Sequence, residues 1–188
     1  VVVITGMRQT GKTTFLQNDP LFKQFTYLPL DDFPTLRTAT AQPEALIEAG
    51  DRVIIDEAQK VPELLTAVKR AVDLKRTPGR FVLSGSANFS LLKVMAESLA
   101  GRALYITLHP FSRREIGGGV RPGPFLVKML TGTTGPSLGS GVPINEDDVL
   151  RGGMPSVRDL TRPNASLWFR GYEQTYVERD IRDFARVE

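Results

Sequence analysis

Two short stretches of the chain hold side chains whose types and spacing suit phosphate chemistry. GMRQTGKTT, Gly6 to Thr14, follows directly on the apolar run VVVIT and fits the spacing G-x-x-x-x-G-K-[ST] through Gly6, Gly11, Lys12 and Thr13. Phosphate oxygens must be met by several backbone N–H groups at once, and only a tight loop free of Cβ obstruction curls that closely. Gly6 lets the chain turn out of a strand, and Gly11 lets it approach the anion. A helix opening at Lys12 aims its positive end at the phosphates. On this reading Lys12 reaches the β- and γ-phosphates, the Thr13 hydroxyl coordinates Mg²⁺, and Thr14 touches the α-phosphate. Met7, Arg8, Gln9 and Thr10 complete the binding loop. The ligand expected is a nucleoside triphosphate with Mg²⁺.

The second stretch is VIIDEAQ, Val53 to Gln59. A carboxylate at the tip of a buried strand is where a Mg²⁺-organising acid belongs, and Asp56 fits, acting through a water in the metal's shell. Glu57, beside it, can orient and polarise a water for attack on the γ-phosphate. No asparagine is followed by lysine, so the guanine clamp of a GTPase is missing. A kinase must keep water from the γ-phosphate, and Glu57 is unfavourable to that. ATP hydrolysis is the leading expectation. A nucleotide-gated switch with little turnover and a DNA-associated ATPase stand as alternatives.

Two further positions are candidates. In LSGSAN, Ser86 is the first choice to hold the water or sense hydrolysis, with Ser84 and Asn88 behind it; plain capping of the next helix by Ser86 or Asn88 fits equally well. In ESLAGRALYITL, Arg102 could neutralise charge on the phosphoryl group in a neighbouring subunit, or sit in a surface ion pair. His109, beside Pro110, reads as structural.

These residues need elements to position them. Val1–Thr5, Phe25–Leu30, Arg52–Asp56, Arg80–Leu83 and Ala103–Leu108 read as strands, the second ended by Asp31, Asp32 and Pro34. Helices are expected from Lys12, over Pro43–Ala49, after Pro62, and over Ser90–Ala100. Leu64, Leu65, Val68, Ala71 and Val72 form one buried stripe. Such alternation implies βαβ units and a parallel sheet. Ser112 and Glu115 have capping-box spacing. Gly117 to Pro143 then holds eight of the seventeen glycines and reads as a loop, arm or hinge. A final helix is expected from Asn164, with Phe169, Tyr172, Tyr176, Val177, Ile181 and Phe184 at helical spacing. Residues 1–116 therefore read as the core, 117–145 as the arm, and 146–188 as a helical segment opening a further domain.

The 188 residues suffice for one sizeable α/β domain. A net charge of +3 is too slight and dispersed to argue for nucleic acid. Without cysteine, and with a single histidine, disulfides, thiolate chemistry and histidine-cluster metal sites are excluded. No apolar run approaches the ~20 residues a membrane helix requires, and the expected setting is the cytoplasm. The chain opens on valine inside a strand, as an excerpt of a longer protein would.

Taken in order, GMRQTGKTT, VIIDEAQ, FVLSGSAN, SLAGRALYITLHPFSRREI, LRGGMPSV and YEQTYVERDI resemble a large family of bacterial and archaeal ATP-binding proteins, built from an AAA-type ATPase domain and a C-terminal domain of unknown function. The resemblance implies an α/β P-loop NTPase three-layer sandwich with a mostly parallel five-stranded sheet in the order 5-1-4-3-2. It also implies Mg-ATP as ligand, Gly6 to Thr14 as the nucleotide loop, and Asp56 and Glu57 as the Walker B pair. Ser86 becomes a sensor candidate and Arg102 a finger candidate. A homo-oligomer and an unidentified protein partner are compatible with it.

Overall fold

The computed structural model of the chain describes residues 1–86, 99–118 and 143–185, with side chains as far as residue 176. It divides into two units, Val1–His109 with Arg170–Glu188, and Pro110–Phe169. The first is built on β1 (Val2–Thr5), β2 (Thr26–Pro29), β3 (Val53–Asp56), β4 (Phe81–Ser84) and β5 (Leu104–Thr107). These pair in the order β2-β3-β4-β1-β5, every pair parallel. That is the expected order read from the other edge, and the fold is the expected P-loop type of α/β sandwich.

The strand residues explain the layers. Side chains alternate across a strand, so Val3, Val53, Ile55, Phe81 and Leu83 enter one buried cluster while Ile4, Ile54 and Val82 enter another. The first cluster is closed by α2 (Phe33–Ala41), α3 (Pro43–Ile47) and α4 (Glu63–Leu74), through Ala39, Leu46, Ile47, Leu64, Leu65 and Val68. The second is closed by Leu16 of α1 (Lys12–Asn18), with Phe15, Phe22 and Phe25 packed around it edge to face. Strands covered on both faces need apolar residues at every position, which is why VVVIT and RVIID read as unbroken runs. β5 differs: all four of its residues are exposed.

α2 departs from the sequence reading. Asp31, Asp32 and Pro34 are expected from the sequence only to end β2, yet Asp32 and Pro34 open a helix. The Asp32 carboxylate accepts the Thr35 N–H at 3.1 Å, and Pro34 lies in the first turn, where its missing N–H costs nothing. In α4 the expected stripe is present, with Leu64, Leu65 and Val68 buried and Ala71 and Val72 packed at its margin.

The second unit carries α5 (Arg113–Ile116), α6 (Glu146–Arg151) and the start of α7 (Arg162–Ala185). The Ser112–Glu115 capping box forms as expected. A second one, Asn145 with Asp148, opens α6 and was not singled out in the sequence. Arg113 joins the two helices through a 2.9 Å bond to Asp148. Gly153 is pressed against Phe111, whose N–H donates to the Gly153 carbonyl at 2.8 Å. An added Cβ there would meet the Phe111 oxygen at 2.0 Å, so the GGMP turn is built for close backbone approach. Asn88, nearly all of the expected Ser90–Ala100 helix and most of Gly117–Pro143 lie outside the described residues.

Candidate functional site

β1 ends at Thr5, and the loop that leaves it is shaped by its glycines. Gly6 has φ 154°, and a Cβ on it would stand 2.3 Å from the Leu108 carbonyl oxygen. Gly11, φ 90°, caps α1 in the left-handed region. Gly6→Ala is accordingly expected to cost about 1–3 kcal/mol of stability through overpacking, measured as a lowered denaturant midpoint. An unchanged midpoint would mean that Leu108 yields freely.

Lys12 is buried and its ammonium donates to the Gly6 and Met7 carbonyls at 3.0 and 2.8 Å. Thr10 Oγ1 donates to the same Met7 carbonyl at 2.9 Å. Burial pushes the Lys12 pKa down; the nearby Glu57 and Asp56 charges oppose the shift, and the Arg8 charge adds to it. The lysine and the acidic pair therefore share one end of the sheet. Thr13 Oγ1 donates to Asp56 Oδ2 at 2.8 Å, which joins α1 to the tip of β3.

Asp56 is the hub of this end. Oδ2 also accepts the Tyr27 hydroxyl at 2.5 Å, while Oδ1 accepts the Ser84 hydroxyl and, at 3.1 Å, the Glu57 N–H. Burial, reinforced by the bond to Asp56, raises the Tyr27 pKa. Tyr27 was missed in the sequence reading; its signal was position, two residues before Pro29, which pairs with Asp56 in the β2–β3 register. Tyr27→Phe removes one of four hydrogen bonds to a charged acceptor and is expected to cost about 1.5 kcal/mol. Urea unfolding measures it, and a loss near zero would show that the other three donors suffice.

Glu57 takes a left-handed backbone, φ 58° and ψ 42°, uncommon for a residue with a side chain. Its carboxylate accepts the Gln59 side-chain N–H, and the Gln59 side-chain Oε1 is buried without a partner. Ser84, the second-choice sensor, bonds Asp56 directly; Ser86, the first choice, is buried just beyond β4. Met7, Gln9, Thr13 and Thr14 are exposed along the loop and the first turn of α1.

Arg102 stands elsewhere. Its Nε and Nη2 grip both oxygens of Asp73 at 2.6 and 3.0 Å, and its carbonyl accepts the N-terminal ammonium of Val1 at 2.9 Å. It thus lies at the start of β1, and Gly6 lies past the end of that strand, roughly 16 Å away at the usual rise per residue. Within its own chain it is apart from the Lys12–Asp56 cluster.

The donor set can be tested against the ligands the sequence implies. A hydroxyl and a carboxylate in contact offer the hard oxygens that suit Mg²⁺, which keeps several waters and takes few protein ligands. A buried ammonium resting on carbonyls suits an incoming phosphate, and Arg8 adds a buried Nε without a hydrogen-bond partner. The residues fit Mg²⁺ and a phosphate chain. Among the described residues no helix is long and apolar enough to cross a membrane.

The family described as AAA domain matches residues 1–117. Uncharacterized proteins of Mycobacterium bovis and Mycobacterium tuberculosis are each 30% identical over 184 residues, covering 96% of this chain and 36% of their own length. The chain thus spans about a third of the length of these curated relatives.

Proposed function

The chain belongs to the AAA-domain family, and from that premise we propose that it binds Mg-ATP in the Gly6–Thr14 loop and hydrolyses it beside Asp56 and Glu57. One observation carries the reading: Lys12 and Thr13 of α1 and Asp56 and Glu57 at the tip of β3, two sequence-distant stretches, meet at one end of the sheet.

In this mechanism Lys12 leaves the Gly6 and Met7 carbonyls for the β- and γ-phosphate oxygens. The backbone N–H groups of the loop meet the remaining oxygens. Thr13 and Asp56, already in contact, would hold Mg²⁺, which when bound would neutralise phosphate charge. Glu57 orients a water and takes its proton. The water oxygen bonds to the γ-phosphorus as the bond from that phosphorus to the β–γ bridging oxygen breaks, leaving ADP and phosphate. Ser86 beyond β4 is assigned to sensing the γ-phosphate, and Arg102 to the site of a neighbouring copy. Residues 1–116 act as the nucleotide-responsive core, and hydrolysis drives rearrangement of an attached domain or partner.

Steady-state phosphate release with Mg-ATP, with and without chelator, tests this directly. Chelator-sensitive turnover is expected. Turnover that is absent, or indifferent to chelation, would remove hydrolysis from the proposal. A second reading, a switch with little turnover, draws on one contact: the Tyr172 hydroxyl of α7 donates to the Arg8 carbonyl at 3.2 Å, tying the loop to the last helix. Tight nucleotide binding with negligible phosphate release, together with altered proteolysis at 117–143, would favour it.

A further inference from the structure

We infer that Arg8 is the chain's own guanidinium for the terminal phosphate, so that the loop discriminates ATP from ADP without help from another copy. The inference rests on the ATP-site reading above and goes beyond it by assigning a specificity-determining residue.

Four observations support it. Arg8 Nε is shielded from solvent and has no hydrogen-bond partner, an unusual state for a buried polar atom in a folded protein. The rest of the loop is bonded: the Arg8 carbonyl accepts the Tyr172 hydroxyl, and Thr10 and Lys12 both donate to Met7. Only the Arg8 Nε is left over, and Arg8 makes no ion pair among the described residues. Arg8 also lies near enough to Lys12 for its charge to disfavour the ammonium. Two cations held together gain from a polyanion between them.

The position along the phosphate chain follows from Lys12. Its ammonium rests on the carbonyls of Gly6 and Met7, the two residues immediately before Arg8, and the Glu57 and Asp56 charges both lie near enough to act on it. Arg8 therefore shares the strand-side limb of the loop, where the γ-phosphate must lie if Glu57 is to address it. The other guanidinium singled out in the sequence, Arg102, is engaged by Asp73 at the far end of the sheet. A planar fork of N–H donors matches phosphate oxygens in pairs, which a lysine cannot do.

The experiment compares affinities for Mg-ATP and Mg-ADP by calorimetry, in the whole chain, for wild type, Arg8→Ala and Arg8→Lys. Arg8→Ala should weaken Mg-ATP binding by about 10- to 100-fold, as loss of a charge-assisted phosphate contact implies, and move Mg-ADP binding less than about 2-fold. Arg8→Lys should recover part of the ATP affinity, since charge remains but the fork does not. Equal weakening of both nucleotides would overturn the proposal, because Arg8 would then serve the loop or the inner phosphates. So would an unchanged ATP-to-ADP ratio in both variants. If Arg8→Ala fails to fold, Arg8→Gln, which keeps length and polarity, carries the same comparison. Wild type that binds neither nucleotide overturns the ATP-site reading itself, a result distinct from a lost preference.

Discussion

Lys12→Ala is expected to reduce affinity for Mg-ATP by about 100-fold or more, which titration with a fluorescent nucleotide would read. The side chain can make two charge-assisted bonds to phosphate, each worth about 1.5 kcal/mol or more, and roughly 3 kcal/mol corresponds to a factor of 100. Part of that potential is already visible, since the ammonium is buried on two carbonyls and depressed in pKa by desolvation. The alanine also leaves those carbonyls without their donor, so unfolding must be measured alongside. A folded variant that binds as tightly as wild type would exclude Lys12 from the phosphate site, and with it the proposed mechanism. Arginine at this position should not rescue, because its planar fork of donors cannot replace a compact ammonium.

Glu57→Gln is expected to keep nucleotide affinity within about 3-fold while lowering turnover by about 10²- to 10⁴-fold, the usual contribution of a positioned general base. Three features confine the effect to chemistry. The amide is isosteric with the acid, the backbone N–H to Asp56 is untouched, and the left-handed backbone is occupied equally well by either residue. Single-turnover measurement should find ATP bound and unconverted. Equal turnover in the two proteins would remove Glu57 from the reaction. Glu57→Gly offers a control on the backbone: glycine adopts φ 58° without strain, so stability should stay within about 1 kcal/mol of the parent while hydrolysis is lost.

Much of this was legible before any coordinates. The strands could be placed because buried parallel strands need apolar residues at every position, while the sheet order came only through the family resemblance. The loop could be read because it needs glycine where Leu108 crowds Gly6 and where Gly11 turns left-handed. What could not be read is pairwise. Tyr27 meets Asp56 only because β2 lies beside β3, a neighbour relation that its own segment does not encode. Asp32 and Pro34 carry two meanings, ending a strand and opening a helix, and only the hydrogen bond to Thr35 decides between them. The Asn145–Asp148 box has capping-box spacing in the sequence, but its helix, Glu146–Arg151, is too short for hydrophobic periodicity to mark it.

The clasp between Arg102 and Asp73 gives the molecule a polarity. The strands separate Arg102 from Lys12 by their full length, so a phosphate served by Arg102 would belong to another chain. A contact that brought it to another copy would join unlike ends, head to tail, and such contacts either close into a ring or continue as a filament, according to the rotation between successive copies. Opening the clasp would be the toll on each such joint. A copy whose Asp73 had been neutralised would therefore associate more readily than the parent.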